Sequence, residues 1–244
     1  MYLADFMNID RELIAIPKNE VLRYLGYRSQ GLSYDMEKLI EETIGEAKEL
    51  IRPRYTYKYF SFTSNKEIIV DKNENTRLFK DMDISIIGKD IINHLSFSKG
   101  FYLMAVTLGM EIDKTIRYYE KSNLTKALIL DACGTAAVES IADFVCTKLT
   151  EELKKDNCTV TSRYSPGYGD FPIDIQREFL RTVEGERTIG LTATKDNILI
   201  PRKSVTAVVG VTEEKLDEKK HKKCTYCPNY STCAYRKESD ICGS

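Results

Sequence analysis

Three stretches of the chain carry residue types and spacings suited to chemistry. The first is Arg163-Tyr-Ser-Pro-Gly-Tyr-Gly-Asp170. Arg163 supplies a permanently charged planar fork that matches a carboxylate. Pro166-Gly167 fits a type II turn, with glycine taking the positive φ. Such a turn presents backbone N–H and C=O groups to a ligand edge, and Tyr168 adds an aromatic face and a hydroxyl. Arg163, Ser165, Pro166, Gly167 and Tyr168 together suit a small zwitterionic or heteroaromatic molecule; the alternative is a structural turn with a surface arginine. The second stretch is Cys224-Thr-Tyr-Cys227-Pro-Asn-Tyr-Ser-Thr-Cys233, followed by Cys242. A C-x2-C bend lets two thiolates reach one metal, and four cysteines suit a zinc site or an iron–sulfur cluster. A redox disulfide and unmetallated thiols are the other readings. The third is a helical face. Ala132, Thr135, Ala136, Glu139 and Asp143 fall within about 100° of one another at a helical period. Two carboxylates thus stand on a surface of small side chains, which either a ligand or another backbone can approach closely.

Other chemistries are disfavoured. The chain holds two histidines, His94 and His221. No Ser/His/Asp pattern, H-E-x-x-H or P-loop occurs, so a hydrolase built on its own nucleophile is a poor fit. His94 lies in an apolar helical stretch and reads as a partly buried packing residue. His221, three residues before Cys224, is either a ligand or a surface histidine. Across 244 residues, 36 Lys+Arg meet 37 Asp+Glu, a net charge of −1. So balanced a chain has no global field to hold a phosphate backbone. No apolar run approaches the roughly 20 residues that span a bilayer. The N-terminus has Asp5 early and no basic n-region, so a cytoplasmic protein is expected.

The elements that must position these residues follow from periodicity. Residues 34–51 keep a 3.6-residue apolar period with Ser33 as N-cap. Shorter helices are expected at 19–24, 89–95 and 111–121, and a long one at 123–154. Strands are expected at 11–16, 55–62, 67–70, 83–87, 100–108 and 158–162. Asp170 is read as the cap of a helix with Pro172 in its first turn, running to Arg181. Residues 188–192, 197–200 and 204–211 read as a small antiparallel sheet. Without a regular βαβ rhythm the class is α+β. One domain is expected over 1–212, with a charged connector and cysteine-rich tail over 213–244.

Arg163-Tyr-Ser-Pro-Gly-Tyr168 closely resembles the Arg-x-x-Pro-Gly-Tyr signature of the activation domain of cobalamin-dependent methionine synthase. The resemblance extends to the helix ending in Val138-Glu139-Ser140, to Thr107-Leu-Gly109, and to Ile189-Gly-Leu-Thr192 followed by Ile200-Pro-Arg-Lys-Ser204. It covers residues 85–212 well and 1–84 more loosely. It implies a C-shaped domain with a bent antiparallel sheet flanked by helices, here as a free-standing protein that binds S-adenosylmethionine. Arg163 would take the methionine carboxylate, the Ser165-Pro-Gly167 backbone the adenine side, and Tyr168 the methyl-transfer pocket. Glu139 would face the ammonium or sulfonium. The implied partners are a corrinoid protein that carries the cobalamin, most directly methionine synthase, and a low-potential electron donor. No nucleic acid or membrane partner is expected. An iron–sulfur or zinc redox protein and a non-catalytic S-adenosylmethionine sensor are the rival functions. The cysteine tail has no counterpart in the family.

The tail reading is open to direct measurement. Protein prepared without oxygen is expected to carry zinc or iron in elemental analysis, and truncation before Cys224 is expected to remove it. Absence of both metals in the intact chain overturns a metal site at Cys224, Cys227, Cys233 and Cys242.

Overall fold

The computed structural model describes residues 5–27, 31–62, 68–71, 76–79 and 84–213. The cysteine tail, His221 and the connector beyond Glu213 lie outside them. The helices are α1 (Lys18–Tyr24), α2 (Tyr34–Leu50), α3 (Lys89–His94), α4 (Met110–Ser122), α5 (Leu124–Leu153), α6 (Gln176–Thr182) and α7 (Gly185–Ile189). The strands are β1 (Asp5–Asn8), β2 (Arg54–Ser61), β3 (Ile68–Asp71), β4 (Thr76–Phe79), β5 (Ser85–Ile86), β6 (Gly100–Thr107), β7 (Cys158–Val160), β8 (Thr192–Ala193), β9 (Leu199–Ile200) and β10 (Ser204–Glu213).

Local chemistry sets the helix ends. Ser33 caps α2, its hydroxyl accepting from the Met36 amide at 3.3 Å. Asn123 alone separates α4 from α5 and caps the latter, accepting from the Lys126 amide at 3.1 Å. Both satisfy amide groups that a helix start leaves without an intrahelical acceptor.

Five strands form one antiparallel sheet in the order β1-β2-β6-β10-β7. The two-residue alternation of a strand divides its side chains between two cores. From β6, Met104 and Val106 join a cluster with α5 residues such as Ala136, Ile141 and Val145. Phe101, Leu103 and Ala105 join a second cluster with Ile91, Phe171, Phe179 and Val183. β10 alternates likewise, Ala207 and Val209 to the first and Val208 to the second. Helices α1, α2, α4 and α5 therefore lie against one face, and α3, α6 and α7 against the other. β3-β4-β5 form a separate three-stranded sheet and β8-β9 a two-stranded one.

Several expected elements differ. Residues 11–16 are not a strand: Arg11–Leu13 form a 3-10 turn, because the Asp10 side chain accepts from the Glu12 amide and starts a local turn. Ile14 and Ile16 still bury their side chains. Residues 188–191 are not a strand either, and only Thr192 of that stretch enters one, β8, which pairs antiparallel with β9. Both the amide and the hydroxyl of Thr188 bond to the Glu184 carbonyl and close α7, which ends at Gly190 with φ +68. The stretch from Ser204 does not join a small sheet; it becomes β10, the long strand between β6 and β7. Asp170 caps α3 rather than the helix that follows it.

The sheet tolerates no side chain where β6 begins. A Cβ on Gly100 would lie 2.4 Å from both the Phe60 carbonyl oxygen and the Tyr59 hydroxyl. Gly100→Ala should destabilise the protein by about 2 kcal/mol or more, since backbone must move to admit a methyl group. Chemical denaturation checks this; an unchanged midpoint contradicts the packing described.

Candidate functional site

The chain leaves β7, passes Thr161 and Ser162, and returns to the sheet margin at Tyr164. There the Tyr164 amide donates to the Val208 carbonyl at 2.9 Å, and the Val208 amide to the Tyr164 carbonyl at 2.8 Å. This bridge turns the side chain of Arg163 toward α5. Its guanidinium meets Glu139, with Nη2 2.8 Å from Oε2, and Asp143, with Nη1 on Oδ1. Only 19% of the Arg163 side chain is exposed, against 41% for Glu139 and 42% for Asp143. The cation is thus held under two carboxylates that themselves reach solvent. Burial alone pulls the Arg163 pKa down, but the charges of Glu139 and Asp143 outweigh it and the net shift is upward. Arg163 therefore stays charged at every workable pH.

After Tyr164 the loop makes two nested turns. The Tyr168 amide donates to the Ser165 carbonyl at 3.2 Å around Pro166 and Gly167, and Gly167 takes φ +94, as a type II turn requires. The Gly167 amide donates to the Phe171 carbonyl at 2.8 Å and the Phe171 amide to the Tyr168 carbonyl at 3.0 Å. Pro166 is buried and Phe171 is in the second core, whereas 59% of Tyr168 is exposed. An aromatic residue is displayed on an anchored loop.

α5 carries a longer polar stripe than the sequence reading selected. Asp131, Thr135, Glu139 and Asp143 recur every four residues, a run of roughly 18 Å. Lys203 covers its first half, its ammonium 2.8 Å from Asp131 and 2.9 Å from the Thr135 hydroxyl. Arg163 covers the second half. Cys146, one turn further along α5, lies beside the guanidinium. Burial raises its thiol pKa and the Arg163 charge pulls the other way. Tyr24, packed from α1 against the same core, has its hydroxyl pKa raised by burial and then by the charge of Glu139.

Of the residues singled out in the sequence, Glu139 and Arg163 are in contact, and Ser165, Pro166, Gly167 and Tyr168 form the adjoining turn. Cys224, Cys227, Cys233 and Cys242 lie outside the described residues. Among the described residues no group of three or more His, Cys, Asp or Glu side chains is placed to hold a metal ion. Nor is any helix among them long and apolar enough to cross a membrane. Asp143 was visible on the Glu139 face, but its pairing with Arg163 was not. Lys203 and Tyr24 come from distant segments and had no local signal. A separate open groove of about 780 Å3 between α6, α7 and β8, lined by Arg177, Arg181, Glu184 and Arg187, shares no residue with the Arg163 loop.

No family model matches the chain, and no curated protein matches its sequence. Solved structures do. The MetH reactivation domain bound to AdoHcy superposes over 88% of this chain and 80% of its own, with a TM-score of 0.57 and 14% identity. The chain has the reactivation-domain fold. A curled antiparallel sheet flanked by helices is common to both. Within that fold, the Arg163 turn and the acidic face of α5 meet beside the Tyr164 bridge to β10.

The Arg163–Asp143 pair is open to a double-mutant cycle. Arg163→Ala and Asp143→Ala should show a coupling of about 1–2 kcal/mol in denaturation experiments, as expected for a partly buried charge-assisted pair. Additive effects mean that the two side chains do not interact in solution.

Proposed function

We propose that the chain binds S-adenosylmethionine through the Arg163 turn and the α5 carboxylates. We further propose that it supports reductive remethylation of the cobalamin carried by methionine synthase or a related corrinoid methyltransferase. The single observation that carries this reading is the Arg163–Glu139–Asp143 cluster beside an exposed tyrosine, on a fold whose solved relative holds AdoHcy. AdoHcy is what S-adenosylmethionine becomes after losing its methyl group, so a pocket for one has the shape for the other.

The electrostatics agree in sign. One guanidinium and two carboxylates sum to −1, while the ligand's sulfonium, ammonium and carboxylate sum to +1. Opposite charges within a few ångströms, in a partly dry site, interact far more strongly than in water. Arg163 suits the ligand carboxylate, and in accepting it would release part of its hold on Glu139 and Asp143 to the ligand's cationic centres. The Ser165–Gly167 turn offers backbone groups to the adenine, and Tyr168 borders the methyl. The sulfonium supplies an electrophilic methyl group; the acceptor is reduced cobalt on the partner, returned to that state by one electron from a low-potential donor. No proton moves in such a transfer, so the site needs no general base. This fits a cluster that holds no histidine. Its contribution is position.

The test is calorimetric. S-adenosylmethionine should bind the intact chain, and Arg163→Ala should weaken it about ten- to a hundredfold, corresponding to a lost charge-assisted pair. Methylcobalamin should then form from cob(II)alamin only with this chain, a corrinoid protein, S-adenosylmethionine and an electron donor all present, and Tyr168→Ala should slow it. No binding by the intact chain refutes the reading; binding without any methylcobalamin leaves a sensor instead.

A further inference from the structure

The short helix α3 grips the Arg163 loop at both of the loop's ends. At the N-terminus of α3, the two carboxylate oxygens of Asp170 accept from the Lys89 amide at 2.6 Å and the Asp90 amide at 3.0 Å. At its other end His94 Nε2 lies 2.8 Å from the Ser162 carbonyl oxygen and 3.0 Å from the Thr161 hydroxyl. A carbonyl only accepts, so Nε2 carries the proton and donates to Ser162. Ser162 immediately precedes Arg163, and Asp170 ends the segment that contains Tyr168. The two points where the loop begins and ends are thus set by one rigid rod about 9 Å long.

The rod is itself anchored. Ile91 is fully buried and Leu95, just past the helix, nearly so. Its inner side also fits the loop closely. A Cβ on Gly169 would lie 2.4 Å from both Asp90 Oδ2 and the Tyr164 hydroxyl, so the loop runs close against both side chains. The His94 ring stands 5.3 Å from that of Tyr164, the residue bridged to β10. Beyond the His94 contact, the Thr161 hydroxyl accepts from the Gly210 amide at 2.9 Å, tying the same junction to β10.

We infer that α3 is the positioning element of the site, and that His94 and Asp170 are positioning residues that hold Arg163 and Tyr168 in the geometry that binds ligand. Their hydrogen bonds join α3 to Thr161 and Ser162 at one end of the loop and to Asp170 at the other, so each acts through the loop backbone. This inference rests on the reading of that loop as the S-adenosylmethionine site, and its test separates the two.

The experiment compares the intact chain with His94→Leu, His94→Gln and Asp170→Ala. It reads S-adenosylmethionine affinity by calorimetry and backbone amide exchange over 163–170 by mass spectrometry. His94→Leu should weaken binding about five- to tenfold and speed exchange across the loop, through loss of one hydrogen bond and of alignment. His94→Gln places an amide N–H2 where Nε2 stood, so both readouts should return to within about twofold of the intact chain. A residue needed only for packing would not be rescued in this way. If leucine changes neither readout, or glutamine behaves like leucine, the inference is overturned. If the intact chain does not bind S-adenosylmethionine, the proposed function falls, and α3 is judged on exchange alone. Protection lost in His94→Leu then supports the inference and unchanged protection overturns it. If His94→Leu fails to fold, Asp170→Ala decides by the same exchange measurement.

Discussion

The pairing of β6 with β10 is the constraint on which the rest depends. The two strands are antiparallel from Ser204 opposite Thr107 to Val211 opposite Gly100, and much of this ribbon is buried on both faces. A strand covered on both sides cannot carry charge without large desolvation cost. Charged side chains are therefore excluded from the middle of the sheet and gather at its margins. Val208 extends the pairing to one more residue outside β7, Tyr164. That single bridge decides which way Arg163 points, and so decides that the arginine meets α5.

The Arg163 cluster is also what makes the small-residue face of α5 intelligible. Ala132 and Ala136 are buried, and Gly134 leaves room for the Ile112 and Lys203 side chains, each of which would stand 3.1 Å from a Cβ there. Close approach brings Lys203 to Asp131 and Thr135, and Arg163 to Glu139 and Asp143. The two cations come from segments 40 residues apart in sequence and partly neutralise one helix stripe. The stripe still carries an excess of negative charge, which suits a ligand of net positive charge and would repel an anion. Local conformation is spent on the same end of the molecule, with Gly167 and Gly169 both at positive φ in one loop. There the backbone must turn tightly beside Asp90 and Tyr164.

Much of this was legible in the chain itself. The periodicity of 34–51 and 123–154 marked α2 and α5 to within a few residues, and Ser33 was readable as a cap because a serine before an amphipathic run has few other uses. Pro166-Gly167 predicted its turn type from backbone stereochemistry alone. Glu139 and Asp143 could be placed on one face because a helix makes such placement an arithmetic matter. The failures share a cause. Residues 11–16 and 188–191 have strand-like composition, but the Asp10 side chain accepts from the Glu12 amide and the Glu184 carbonyl from the Thr188 amide, which sets a local turn at each. Propensity does not register such single hydrogen bonds.

What the sequence determined by itself, then, was what is local: helix phase, the Ser33 cap, turn type, and which charged and aromatic groups stand in one loop and on one helix face. Tertiary structure decided which of those groups meet. That Arg163 pairs with Asp143 across 20 residues, that Asp170 caps a helix 80 residues before it, and that β10 enters the main sheet all depend on contacts between distant segments. Those contacts follow from burial of both faces of one sheet, a property of the whole packed chain that no window of sequence contains.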